Sequence, residues 1–115
     1  MSKSAAETPE ATKQAGTVAI VASRYNSKYT DALVKSASET LAALAPDLEV
    51  EVTRVPGAFE IPVLVEAVAC KDVQPLAILA LGVIIRGSTA HADLIAQSIT
   101  QSLQKTGVSH LIPVI

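Results

Sequence analysis

The sequence has no tryptophan, one phenylalanine, two tyrosines and a single cysteine among its 115 residues. A lone Cys70 excludes an internal disulfide, and no zinc-type spacing of Cys and His accompanies it. With aromatics so scarce, each one that occurs raises the question of what it touches. Charge is sparse too: 17 % of residues are Asp, Glu, Lys or Arg, and the formal net charge is -2. That balance leaves no basic footprint for nucleic acid or for an anionic membrane. The longest apolar run, residues 76–85, is too short to span a bilayer. The first sixteen residues lack the apolar stretch of a secretory signal. These absences point to a cytoplasmic protein with neither membrane nor nucleic acid as a partner.

What is present is aliphatic. Half of the residues are hydrophobic, mostly Ala, Val, Leu and Ile, enough for the core of one domain. Residues 1–16 are polar and without periodicity, and read as a mobile arm preceding a domain at 17–115. Residues 17–23 (TVAIVAS) are a buried-type strand. Asn26 or Ser27 can cap a helix carrying Leu33, Ala37, Leu41 and Leu44, which Pro46 ends. Residues 49–55 form a second strand with Val50 and Val52 on one face. Pro62 suits the first turn of a second helix, running to about Cys70. Residues 76–85 predict a central parallel strand covered on both faces. A third helix with Leu94, Ile95, Ser98, Ile99 and Leu103 on its apolar side follows, to about Lys105, and Gly107 stops it. Residues 110–115 (HLIPVI) predict a fourth strand, where Pro113 is tolerable only at an edge or a strand start.

Strands alternating with helices imply an α/β fold with a mostly parallel sheet of about four strands. The last strand lacks a covering helix, so the sequence is expected to be truncated or this edge to be covered by another chain. Open parallel sheets bind ligands at the carboxyl ends of their strands. All three strand-end loops carry unusual residues: Ser23-Arg24-Tyr25-Asn26, then residues 55–62 (VPGAFEIP), then residues 82–91 (GVIIRGSTAH).

Each candidate has a functional and a plainer reading. His91, in the first turn of the third helix, can stay neutral there and exchange protons, or be a capping or surface residue. Asp93 can orient it or simply favour the helix start. Ser88 and Thr89, with the Gly87 backbone, can cradle an anion, or be ordinary caps. Arg86 can add charge for an anion or form an exposed ion pair. Tyr25 can stack on a flat heterocycle or wedge the strand–helix junction. Glu60 can accept hydrogen bonds from a polyol or complement the helix start. Ala58 leaves bare backbone for a ligand edge. Phe59 reads as core packing rather than ligand contact.

The three segments S-R-Y-N, V-P-G-A-F-E-I-P and G-V-I-I-R-G-S-T-A-H-A-D, in this order, resemble the 6,7-dimethyl-8-ribityllumazine synthases of riboflavin biosynthesis, over residues 17–115. The resemblance implies a flavodoxin-like three-layer αβα sandwich. It implies condensation of 5-amino-6-(D-ribitylamino)uracil with 3,4-dihydroxy-2-butanone 4-phosphate, with no metal or organic cofactor. It implies that Tyr25 stacks on the pyrimidine, and that Ala58, Phe59 and Glu60 bind the uracil and ribityl chain. Val83, Ile84 and Ile85 would hold the pyrimidine by their backbone, Ser88 and Thr89 the phosphate, and His91 would transfer protons. It also implies a homo-oligomer, a pentamer or a pentamer-based icosahedral shell. Tyr25 stands where the family usually has Phe, and Ala92 where a large aromatic follows the histidine. Family members continue past the I-P-V-I strand, with an aromatic and a basic residue that complete the pocket. Other readings are an archaeal-type riboflavin synthase, against which the intact second and third segments argue, and a non-catalytic binder of flavin or lumazine or a shell former.

Overall fold

The apolar residues from Gly16 to Ser23 form β1, the middle strand of the sheet. The computed structural model describes residues 10, 11, 15–87 and 91–115; most of the expected arm lies outside them. The order continues with α1 (Ser27–Leu44), β2 (Leu48–Val55), a 3-10 turn (Ala58–Glu60), α2 (Ile61–Ala69), β3 (Ala77–Leu81) and α3 (His91–His110). The strands are parallel in the order β2-β1-β3. Each connection therefore crosses the sheet through a helix, as parallel strands require.

Successive side chains of a strand point to opposite faces. Ala19 and Val21 of β1 join Ile78 of β3 beneath α2, where Ile61, Val65, Val68 and Ala69 are buried with them. Val18, Ile20 and Ala22 point the other way, and α1 packs across that face. The result is the expected α/β sandwich: one helix on one face, two on the other. Ile20, Val21, Val65 and Ile78 are completely buried; each such side chain stabilises the fold by about 1.5–3 kcal/mol relative to exposure.

Four expectations change in detail. The third strand ends at Leu81, not at Ile85, because β1 offers its last partner there, Ala22 opposite Leu81. Residues 82–87 leave the sheet without forming helix or strand. Neither Asn26 nor Ser27 caps α1 with its side chain; Asn26 takes a left-handed conformation (φ 60°), and its carbonyl accepts the Thr30 N–H. The third helix runs through Gly107 to His110. It is closed by Leu111 in the left-handed region and by the Ile112 N–H donating to the Gly107 carbonyl at 3.1 Å, a Schellman arrangement. Gly107 is needed inside the helix for another reason. A Cβ there would lie 3.1 Å from the Ile112 carbonyl oxygen and 3.4 Å from Val114 Cγ2. Leu94, expected on the packed side of α3, is exposed.

The expected fourth strand is reduced to residues 113–115. The Pro113 carbonyl accepts from the Ile78 N–H at 2.9 Å, Ile115 donates to Ile78 at 2.9 Å, and Ala80 donates to Ile115 at 2.7 Å. These residues lie parallel to β3, and Pro113 begins the pairing, where its missing N–H is harmless. Among the described residues no helix is long and apolar enough to cross a membrane.

Candidate functional site

All three parallel strands end at the same edge of the sheet, so their following loops converge. Two backbone bonds bind the first loop to the second: Arg24 N–H to the Val55 carbonyl at 2.7 Å and Tyr25 N–H to the Pro56 carbonyl at 2.9 Å. Arg54, near the end of β2, reaches across to β1 and α1. Its guanidinium donates to the Ser23 carbonyl at 2.9 Å, Thr30 Oγ1 at 3.1 Å and Asp31 Oδ1 at 2.8 Å. One side chain thus fixes the end of β1 against the start of α1 and sets the loop that carries Tyr25. Sequence reasoning passed over Arg54; the signal was a cation breaking the apolar face of a strand.

Gly82 lets the third loop approach the other two. A Cβ at this position would lie 2.9 Å from Ile61 Cδ1, 3.3 Å from Ala58 Cβ and 3.3 Å from Ser23 Oγ. Ser23 is wholly buried, and its hydroxyl has no hydrogen-bond partner among the described residues. A buried hydroxyl left unsatisfied costs about 1–3 kcal/mol.

Tyr25, Ala58, Phe59, Val83, Ile84 and Ile85 line one cleft of 290 Å³ together with Gly57 and Ile95. Six of the ten predicted site residues, from three separate loops, are brought together there. Tyr25 is 71 % exposed and Phe59 65 %. The core-packing reading of Phe59 is overturned: the 3-10 turn directs its ring away from the buried cluster, which Ile61 and Val65 of α2 fill instead. Tyr25 is likewise no wedge, since its ring faces outward.

Glu60 stands beside the cleft. Its Oε1 accepts the Gly57 N–H at 2.9 Å, which fixes the P-G-A-F-E turn and commits one of its two oxygens. His91 is the first residue of α3. It lies one helical turn before Ile95, and residues four apart share a helix face; Ile95 lines the cleft. Ile95 was expected only as helix core. Ser88 and Thr89 lie outside the described residues. Asp93 pairs with Arg86. Both members are more than half exposed, so the pair contributes roughly 0–1 kcal/mol. Its effect is to hold the segment after β3 against the first turn of α3.

The arrangement offers a flat exposed aromatic, an apolar floor of residues 83–85, a carboxylate with one oxygen uncommitted by the turn, and a histidine at a helix start. Helix starts stabilise anions. That combination suits a planar polar ring bearing a hydroxylated chain, together with an anionic group.

Known proteins resemble this chain over most of its length. The family model described as 6,7-dimethyl-8-ribityllumazine synthase matches residues 15–115. The chain is similar to the 6,7-dimethyl-8-ribityllumazine synthase of Streptomyces coelicolor, with 42 % identity over 84 % of this chain and 58 % of the relative. It is similar to that of Pyrococcus furiosus, with 39 % identity over 85 % of this chain and 60 % of the relative. The corresponding protein of Xylella fastidiosa is 45 % identical over 77 % of this chain and 60 % of its own length. The chain therefore spans 58 to 60 % of the length of these curated relatives.

Proposed function

The chain belongs to the 6,7-dimethyl-8-ribityllumazine synthase family, and on that premise we propose that its strand-end cleft condenses 5-amino-6-(D-ribitylamino)uracil with 3,4-dihydroxy-2-butanone 4-phosphate in the cytoplasm. The observation that carries the reading is the convergence of Tyr25, Ala58, Phe59, Val83, Ile84 and Ile85 on one cleft. Tyr25 stacks on the pyrimidine, and the backbone of residues 83–85 meets its polar edge. Glu60 accepts from the ribityl hydroxyls. Ser88 and Thr89, which precede His91 in the sequence, receive the phosphate. The uracil amine attacks the ketone, and a first water leaves to give a Schiff base. His91 moves protons in that step and as phosphate leaves. Ring closure with loss of water completes the product.

Holding two reactants together supplies much of the acceleration in such a condensation. His91→Ala is therefore expected to slow turnover strongly, by about a hundredfold, while leaving a residual rate above the spontaneous reaction. The check is lumazine absorbance after mixing the protein with both substrates. An unchanged rate in the variant sinks the role of His91; no product above background from the unaltered protein sinks the activity. Tight binding of ribityl heterocycles without turnover would make the protein a binder instead.

The same reading includes association into a homopentamer, alone or within an icosahedral shell. An apolar surface of Tyr29, Ala32, Leu33, Val83 and Ile85 beside the cleft supports it. It also treats the residues from β1 onward as the α/β domain, which takes in Gly16, and those before it as an arm outside the domain. Sedimentation measures the assembly: a monomer at micromolar concentration would overturn this part.

A further inference from the structure

The opposite edge of the sheet holds a second cluster of reactive side chains. Glu66 and Cys70 lie four residues apart on α2, and so share one helix face. His110, the last residue of α3, meets them there. His110 Nε2 is 2.7 Å from Glu66 Oε2, Cys70 Sγ is 3.4 Å from the same oxygen, and Cys70 Sγ is 3.9 Å from His110 Nε2. The three ligand atoms lie within 4.8 Å of one another. Nothing in the proposed condensation uses them.

We infer that Glu66, Cys70 and His110 form a binding site for a zinc-class divalent ion that staples α2 to α3. With Zn–S near 2.3 Å and Zn–N or Zn–O near 2.0–2.1 Å, the edges of a tetrahedron are roughly 3.3–3.6 Å long. The Cys70–Glu66 edge already lies within this range. The Cys70–His110 edge has to close by roughly 0.3 Å, and the Glu66–His110 edge has to open by roughly 0.6 Å as the metal replaces their hydrogen bond. Thiolate and imidazole together select zinc-like ions over magnesium or calcium, which prefer oxygen.

Three further features favour a cation at this place. Cys70 caps the C-terminus of α2 and His110 ends α3, so two helix ends present their negative poles to it. Thr106, itself buried, donates to Glu66 Oε1 at 2.8 Å, which orients the carboxylate and leaves Oε2 for the metal, as supporting groups around metal sites do. The Gln74 amide donates to the Ala69 carbonyl at 2.8 Å and the His110 carbonyl at 3.4 Å, holding the two helix ends in register before any ion arrives. Glu66 and His110 also line a surface groove with Lys105, Thr106 and Ser109, so solvent reaches these two side chains. A cysteine ligates zinc as the thiolate, so binding expels the thiol proton to buffer.

The test uses the whole chain, stripped with chelator, and two probes, Zn2+ and Co2+. One equivalent of Co2+ is expected to produce a thiolate-to-cobalt absorption in the near ultraviolet, which Zn2+ quenches. Calorimetry in buffers of different ionisation enthalpy should show a proton released per Zn2+ bound. Cys70→Ser should abolish the absorption, and both it and His110→Ala should weaken Zn2+ at least tenfold. Thr106→Val should weaken it about tenfold while keeping the absorption. Melting of each variant in chelator establishes that it folds. Absence of saturable micromolar Zn2+ binding, or binding indifferent to Cys70→Ser, overturns the proposal and leaves a hydrogen-bonded triad. Neither readout depends on lumazine formation, so this inference and the proposed activity stand or fall separately.

Discussion

At the carboxyl edge of the sheet, loops present Tyr25, Phe59 and Ile85 to solvent and leave the Ser23 hydroxyl without a partner among the described residues. At the amino edge, Thr106, His110 and Cys70 all hydrogen-bond to one carboxylate, Glu66. The first edge spends stability on exposed apolar area and an unsatisfied polar group. The second satisfies its polar groups internally. Such a difference separates a surface shaped for an organic ligand from one whose polar groups already partner one another before any ion binds. Both edges rest on the same core: Ala19, Val21 and Ile78 lie between them.

The largest effect should come from that shared core. Ile78→Ala removes a fully buried side chain and is expected to cost about 2–5 kcal/mol in denaturant unfolding. Two separated transitions, reported by probes at the two edges, would break the idea that they belong to one cooperative unit. Next comes Gly82→Val, which forces side-chain carbon toward Ile61 and Ala58. Overpacking of this kind costs about 1–3 kcal/mol. It should close the cleft to ribityl heterocycles while leaving the Glu66 cluster intact, which titration of ligand and metal on the same sample resolves.

Ser23→Ala should reverse the usual sign. Removing an unsatisfied buried hydroxyl leaves stability unchanged or raises it by about 1 kcal/mol, and ligand affinity should fall if the hydroxyl waits for a ligand. A clear loss of stability instead would mean that the group is satisfied in the resting protein. The smallest effect belongs to the amino edge. Hydrogen bonds from Thr106, His110 and Cys70 hold the Glu66 carboxyl below its ordinary pKa of 4.5. A lowered folded-state pKa stabilises the protein above the unfolded value and is lost as pH falls through the folded value. In chelator, the melting temperature should therefore drop more steeply below about pH 4.5 in the unaltered protein than in Glu66→Gln. Parallel curves would show that the carboxylate adds nothing to the pH dependence.

The two edges also differ in how legible they were. The carboxyl edge could be read because parallel strands must release their loops on one side, and each loop carried residues that helices and strands do not need: Tyr25, the P-G-A-F-E turn, Gly87 before His91. Where the reading erred, tertiary geometry decided. Residues 82–85 look like strand, yet β1 ends before them. Phe59 looks like core, yet a 3-10 turn points it outward. Gly107 looks like a helix stop, yet it is the place where the returning backbone needs room. The amino edge was invisible for a plainer reason. Glu66 and Cys70 are helical neighbours, but His110 is forty residues beyond Cys70 and meets it only because α2 packs on α3. No spacing rule covers a ligand set assembled by helix packing.

The order β2-β1-β3 also bears on how the chain assembles. β1 leaves the ribosome before either strand it pairs with and sits between them in the finished sheet. Gly16 waits for Leu48, and Val18 waits for Ala77. Closing the longer loop adds only about 0.6 kcal/mol for each doubling of its length, so chain entropy alone does not hold β3 back; its later synthesis does. Until Ala77–Leu81 arrives, β1 has one bare flank rich in Val, Ala and Ile. During that interval the nascent chain is most exposed to pairing with the wrong strand.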